Sequence, residues 1–313
     1  MIECTQRLQD RAENSCIRET FQEEKIMAGT LMQRFREQSN PGGEAALLWL
    51  GQMGLLIRIG KTVLCVDYYA SDAENRRVPP PIPAEEMGGV DLFLGTHDHL
   101  DHIDHEAWKT WAQVCPEAGF VFPEMHRPKI LADGIPEKRA LGIDAGGEIR
   151  VGEISIRAIA AAHEFLDRDP ATGRYPCLQY ILEGNGLRVY HAGDTLRYEG
   201  MLPRLQAFGP IDAALLPING RDGARYRRQC IGNMTFQEAA DLAGELRLRA
   251  VIPGHWDMFA DNPGDPDAFA DYLDAKYTGL VRCLRPRLLE PVVLSAPAPE
   301  TAERNGSHVP ANM

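Results

Sequence analysis

The apolar positions of this sequence change their period several times, and each change predicts an element. Over residues 1–40, Leu and Ile recur loosely at helical intervals among Glu, Gln, Arg and Met, which predicts an N-terminal helical extension. Asn40-Pro41-Gly42-Gly43 then breaks the chain. Short apolar runs follow at 46–50, 55–59 and 63–66, separated by residues 51–54 and by Gly60-Lys61, the rhythm of antiparallel strands joined by tight turns. After a proline-rich loop at 79–83, residues 90–95 read as a buried strand, nearly all apolar and ending at Gly95. Asp104 next precedes a helical stretch carrying Trp108, Trp111 and Ala112.

The second half repeats the rhythm. Residues 154–160, 178–182, 187–190, 211–216 and 250–253 are strand candidates. Thr235 and Glu238 have capping-box spacing and open a helix to about Leu246, while Asp265-Pro266 supplies an N-cap and an N1 proline for another. Strand meanders that alternate with helices predict an α+β protein, with two sheets face to face and helices outside, as one domain over 41–295. The Pro-, Ala- and polar-rich segment 296–313 reads as a disordered tail.

Composition narrows the partners rather than the fold. Net charge is -12, which disfavours nucleic acid and anionic membrane surfaces. The seven cysteines are scattered and form no C-x-x-C pair, as reduced thiols would be. The N-terminal residues lack the apolar stretch of a secretory signal, and no apolar run reaches the length of a membrane span. A cytoplasmic location is the expectation.

The chemistry concentrates in Thr96-His97-Asp98-His99-Leu100-Asp101-His102, which places three of the chain's nine histidines and two aspartates within six residues. In extended backbone His97 and His99 project to the same side, and Asp101 and His102 follow once the chain turns, so one loop can serve two adjacent pockets. Imidazole and carboxylate donors suit zinc, manganese or iron, and without a thiolate the cluster points to catalysis rather than to a structural zinc.

This run matches the H-x-H-x-D-H signature and resembles the metallo-β-lactamase superfamily, which implies an αββα four-layer sandwich. Later ligands stand in the order that the resemblance requires: His163 in Ala161-Ala162-His163, Asp194 in Ala192-Gly193-Asp194 and His255 in Pro253-Gly254-His255. Segments 48–51, 96–104, 191–195 and 251–261 look most like the L-ascorbate-6-phosphate lactonase family, a likeness running from about Ala45 to Tyr277. By that resemblance His97, His99 and His163 hold one divalent ion, Asp101, His102 and His255 hold a second, and Asp194 bridges them. Manganese or zinc is implied, with iron a third candidate. Catalysis would use a metal-bridging hydroxide that Asp101 orients or deprotonates.

Around this core, His191 is either a partner that orients Asp194 or the substrate, or a core histidine on a strand. Asp104 either steadies a ligand histidine or caps a helix. In the loop 219–228, which packs four arginines, Arg221 and Arg225 are candidates to clamp a substrate phosphate. His105, His126 and His308 are not proposed as ligands. The expected function is opening a lactone of a small, anionic, phosphorylated sugar acid. The alternatives are hydrolysis of cyclic nucleotides or other small phosphodiesters, and a non-catalytic binding protein on the same fold. Relatives of diiron oxygen reductase type carry a carboxylate where His99 stands, and nuclease relatives carry a large inserted domain that finds no room here. A homo-oligomer is compatible with the resemblance.

Overall fold

In a computed structural model the described residues are 31–37 and 43–296. Residues 31–37 form helix α1, the described part of the expected helical extension; the rest of that expectation, and the tail beyond Ala296, lie outside the described residues. Strands β1 (Glu44–Trp49), β2 (Leu55–Ile59) and β3 (Thr62–Val66) form the opening meander, followed by β4 (Leu92–Leu94). Helix α2 (His105–Val114), β5 (Gly119–Pro123), α3 (Arg127–Ala132) and β6 (Ala140–Ile143) complete the first half. The second half contains β7 (Glu148–Val151), β8 (Ile154–Ala160), β9 (Leu178–Gly184), β10 (Leu187–His191) and α4 (Met201–Gln206). It continues with β11 (Ala213–Pro217), α5 (Gly223–Arg227), α6 (Phe236–Glu245), β12 (Ala250–Gly254), α7 (Pro266–Tyr277), β13 (Arg282–Cys283) and β14 (Pro291–Ser295).

Two mixed seven-stranded sheets result, ordered β14-β1-β2-β3-β4-β5-β6 and β13-β12-β11-β10-β9-β8-β7. Because successive side chains in a strand point to opposite faces, one strand feeds two cores. In β1, Ala45, Leu47 and Trp49 pack between the sheets, while Ala46 and Leu48 join α1 and the α2 tryptophans Trp108 and Trp111 on the outer face. In β11, Ala213 and Leu215 face inward and Ala214 and Leu216 meet Leu242 of α6 and Phe269 of α7. With both faces buried, these strands read as continuous apolar runs instead of alternating ones. The product is the expected four-layer αββα sandwich. No helix among the described residues is long and apolar enough to cross a membrane.

Strands β5, β6, β7, β13 and β14 carried no clear sequence signal. β14 returns across the whole domain to pair antiparallel with β1, Glu44 opposite Ser295, and closes the edge of the first sheet. From β3 to β6 and from β10 to β13 the neighbours run parallel. Several candidate ligands follow the carboxyl ends of β4, β8, β10 and β12, where loops of parallel sheets converge.

The turn out of β4 leaves no space for a side chain at Gly95: an added Cβ would stand 2.2 Å from Ile103 Cγ1 and 3.2 Å from Trp108. The metal-type loop therefore folds tightly over α2. Gly95→Ala is expected to cost about 1–3 kcal/mol through overpacking, read as a lower urea midpoint with unchanged slope. A parental midpoint would mean that Ile103 gives way freely.

Candidate metal centre

Both ends of the loop 96–104 are pinned. At its start, Thr96 donates to Asp67 through its backbone N–H at 2.8 Å and through Oγ1 at 2.6 Å. Inside it, the N–H groups of His102 and Ile103 donate to the His99 carbonyl. At its end Asp104 caps α2 by accepting from the Ala107 N–H, and also accepts from the N–H groups of Ala70 and Ser71 and from Ser71 Oγ. Asp104 thus caps α2 and binds the loop to the segment after β3, and its hydrogen-bond partners among the described residues include no candidate ligand histidine.

The structure brings all seven sequence-derived ligand candidates together. His97, His99 and His163 offer one converging set of donor atoms, Asp101, His102 and His255 another, and His97, His102 and Asp194 a third, each within 4.8 Å. His97 Nε2 lies 2.9 Å from His99 Nδ1, and His163 Nε2 lies 3.2 Å from that same nitrogen. Asp194 sits between the sets, with Oδ1 3.3 Å from His102 Nε2 and Oδ2 3.0 Å from His255 Nε2. His255 adopts a positive φ of 57°, a conformation that L residues avoid unless surrounding structure holds it. Its N–H donates to the Gln52 carbonyl.

These residues fit a divalent cation. His102 Nε2, His163 Nδ1 and Asp194 Oδ1 are buried and have no hydrogen-bond partner among the described residues. Ring nitrogens that face one another at hydrogen-bond distance also need either a proton or a metal between them. Burial holds His97 well below the ordinary histidine pKa and, for His163, down to about 4, so both offer neutral imidazole. Burial opposes the Asp194 carboxylate, but His255 and His102 outweigh it and keep the group ionised. Neutral imidazoles at His97 and His163 beside an ionised Asp194 are protonation states that metal binding requires.

Two supporting residues had escaped the sequence reading. Asp67 is fully buried and lies 2.7 Å from His102 Nδ1, so it favours a proton on Nδ1 and leaves Nε2 as the nitrogen turned to the centre. Its position at the end of the strand 63–66 was a legible hint. Gln52, in the turn after β1, donates from Nε2 to Asp101 Oδ2 at 3.0 Å and through its backbone N–H to Asp257 at 2.8 Å. Nothing local in the sequence marks it.

The substrate-clamp expectation for Arg221 and Arg225 needs correction, whereas His191 takes up one of its expected alternatives, beside the Asp194 turn. His191 is fully buried, donates from Nε2 to the Met53 carbonyl at 2.8 Å and accepts the Gly193 N–H on Nδ1, so it steadies the turn before Asp194 and meets no ligand space. Arg221 forks onto Glu238 at 2.6 and 2.8 Å, and Arg225 donates to Asn262, Asp222 and the Pro263 carbonyl. Neither arginine lines the cavity of about 390 Å³ that His99, Asp101, His163, Asp194 and His255 open into. Asn262 does line it, so the arginine loop braces a wall from behind.

The remaining loop aspartate, Asp98, faces away from this cluster, with His105 Nε2 at 2.7 Å and the Lys129 ammonium beside it. The other nitrogen of His105 meets Asp133. Hydrogen bonds to Asp98 and Asp133 raise the His105 pKa to about 9.

Comparison with known proteins adds a family to this geometry. The model of the Beta-lactamase superfamily domain matches residues 65–256. A UPF0173 metal-dependent hydrolase of Myxococcus xanthus is 30% identical over 240 residues, covering 74% of this chain and 77% of its own. A UPF0173 protein of Pyrococcus furiosus is 29% identical, covering 77% of this chain and 96% of its own. Among solved structures, Igni18, a metallo hydrolase from Ignicoccus hospitalis, superposes with a TM-score of 0.61 at 20% identity, over 80% of this chain and 99% of that one.

Asp67→Asn is expected to weaken zinc binding by about 10- to 100-fold in competition with a chromophoric chelator, since the amide no longer enforces the His102 tautomer. Parental affinity would remove that role. The His105 bridge carries a pH signature of the opposite sign to a carboxylate's. A folded-state pKa of about 9, above the ordinary value of about 6.5, makes its stabilisation complete below the lower value and lost as pH rises through the upper one. The melting temperature difference between the parent and His105→Gln should therefore shrink between pH 6.5 and 9; a constant difference would contradict the bridge.

Proposed function

The chain belongs to the metallo-β-lactamase superfamily as a metal-dependent hydrolase, and from that premise we propose that it holds two divalent ions and hydrolyses a small carbonyl ester, with a lactone the first choice. The observation that carries the two-ion reading is the position of Asp194, whose two oxygens face different histidines, one toward His102 and the other toward His255. In this assignment His97, His99 and His163 take one ion, Asp101, His102 and His255 the other, and Asp194 spans them. Manganese and zinc both suit the donor set, and iron is compatible with it.

When bound, such ions acidify water and polarise the oxygen under attack. The protein supplies the rest. Burial works against the Asp101 carboxylate, but His102 and His255 outweigh it and keep the group ionised. Gln52 fixes its Oδ2 by a hydrogen bond. An ionised, oriented carboxylate on the cavity wall can align the attacking water and accept its proton. Ala162, whose N–H donates to Thr195 Oγ1, and Thr195, one residue past Asp194, tie the segments carrying His163 and Asp194 together.

The cavity favours carbonyl substrates over the phosphorylated sugar acid implied by the resemblance. Among the described residues no Lys or Arg lines it, and Asp261 contributes a carboxylate to the wall. A phosphate remote from the reacting bond would find repulsion there instead of a guanidinium fork. Phosphodiester hydrolysis remains the second reading, because there the charged group would sit at the ions themselves. A protein that only binds ligand would not require a complete donor set, and here every position is filled.

The test is turnover of an uncharged γ-lactone, L-ascorbate 6-phosphate and a cyclic nucleotide by protein reconstituted with manganese or zinc. Lactone opening should exceed cleavage of the other two, vanish on chelation and return with metal. Asp101→Asn should bind metal yet lose at least about 100-fold in kcat. Cleavage of the cyclic nucleotide alone would transfer the assignment to phosphodiesters, and parental turnover in Asp101→Asn would remove its catalytic role.

A further inference from the structure

Solvent-exposed large apolar side chains are few among the described residues, and the two most exposed stand beside the metal-type ligands. Phe165 is 63% exposed and Leu100 57%. Leu100 lies between His99 and Asp101 in the loop and lines the cavity. Phe165 is two residues beyond His163 and forms a backbone bridge with it, so its position is fixed by a ligand-bearing turn. Ile231 and Phe259 continue the apolar surface inside the same cavity.

A single exposed apolar residue carries no message, but two that flank the candidate ligands of one centre, one of them lining its cavity and the other bridged to His163, do. Their exposure forgoes burial that the folded chain supplies to nearly every other large apolar side chain. Among the polar side chains lining the same space, Asn75, Gln229 and Asn262 are uncharged amides, and the carboxyl group beyond the centre is that of Asp261. Water-exposed hydrocarbon next to a cavity whose lining beyond the centre has no Lys or Arg among the described residues is complementary to an uncharged, apolar group rather than to a remote anion.

We propose that the substrate carries an uncharged acyl or aryl group of several carbons, received by Leu100, Phe165, Ile231 and Phe259 while its ester carbonyl meets the metal centre. This rests on the hydrolase reading above for the position of the carbonyl, but the apolar subsite stands on its own observations. The reaction is ordinary ester hydrolysis: water adds to the carbonyl carbon, the C–O bond to the leaving alcohol breaks, and the alkoxide takes up a proton. Products are a carboxylate bearing the apolar group and an alcohol, or one hydroxy acid when the ester is a lactone.

The experiment compares kcat/KM for acetyl and octanoyl esters of the same uncharged alcohol, using zinc- or manganese-loaded full-length protein. Octanoyl should be preferred by at least about 10-fold, chiefly through KM, as burial of several methylenes implies. Leu100→Ser and Phe165→Ser should each cut that preference by about 3- to 10-fold, while Leu280→Ser, an exposed apolar residue on the turn after α7, leaves it unchanged. Equal rates for the two esters, or a preference indifferent to Leu100 and Phe165, would overturn the subsite and mark this rim as a surface for something other than substrate. In parallel, octanamide binding to the Asp101→Asn protein is measured by calorimetry for the parental rim and for Phe165→Ser. If neither ester is turned over, the carbonyl-ester reading fails, and octanamide binding that weakens with Phe165→Ser would still uphold the subsite. Absence of octanamide binding together with no chain-length preference rejects it.

Discussion

One buried carboxylate joins the two sources of the centre. Asp67, at the end of β3, takes the N–H and hydroxyl of Thr96 and lies 2.7 Å from His102 Nδ1. A carboxylate without exposure to solvent is tolerated only when its oxygens are occupied by donors, and these donors are the backbone and side chains of the metal-type loop. The ordering of the loop and the burial of Asp67 are thus a single event. His102 adds the sign: burial pulls its pKa down, yet Asp194, Asp101 and Asp67 together raise it well above the ordinary value. A cation is what this arrangement of charge is built to receive, either as a proton on His102 or as a metal across the donors.

The rest of the cluster hangs on the same logic of occupied donors and acceptors. Gln52 connects Asp101 to the turn after β1 and, through Asp257, to the segment after β12. His191 connects the Asp194 turn to Met53 in that same turn. Residues 52 and 53 therefore serve both sheets at once, which explains why a turn with no metal ligand of its own is fully buried. The arginine loop plays the equivalent part for the outer wall, with Arg225 on Asn262 and Arg228 on the Asp261 carbonyl.

What the sequence disclosed and what it hid divide along locality. The cluster at 97–102 was legible because its spacing is local, and the strands that feed it announced themselves as apolar runs bounded by glycine. Thr235 and Glu238 were legible as a capping box for the same reason. By contrast β14 is five residues long, begins at a proline and finds its partner only across the whole domain. Gln52 and Asp67 act on residues tens to hundreds of positions away, a relation that no local pattern encodes. The arginines misled for a related reason: charge density shows that a guanidinium needs a partner, but not whether the partner is a ligand or, as for Arg221, Glu238 in the first turn of α6.

The pairing of β1 with β14 has a consequence for the order in which a ribosome delivers the chain. Glu44 waits for Ser295, so β1 has one unpaired edge until nearly all of the domain has been synthesised. A strand of that kind, apolar on both faces, is a template for pairing with any other extended segment. During the same interval the candidate donors at 97–102 already exist without His255, which arrives only after β12. Partial donor sets and an open edge coincide in the nascent chain, which makes the segment from β12 to β14 the one that converts an association-prone intermediate into a sealed sandwich.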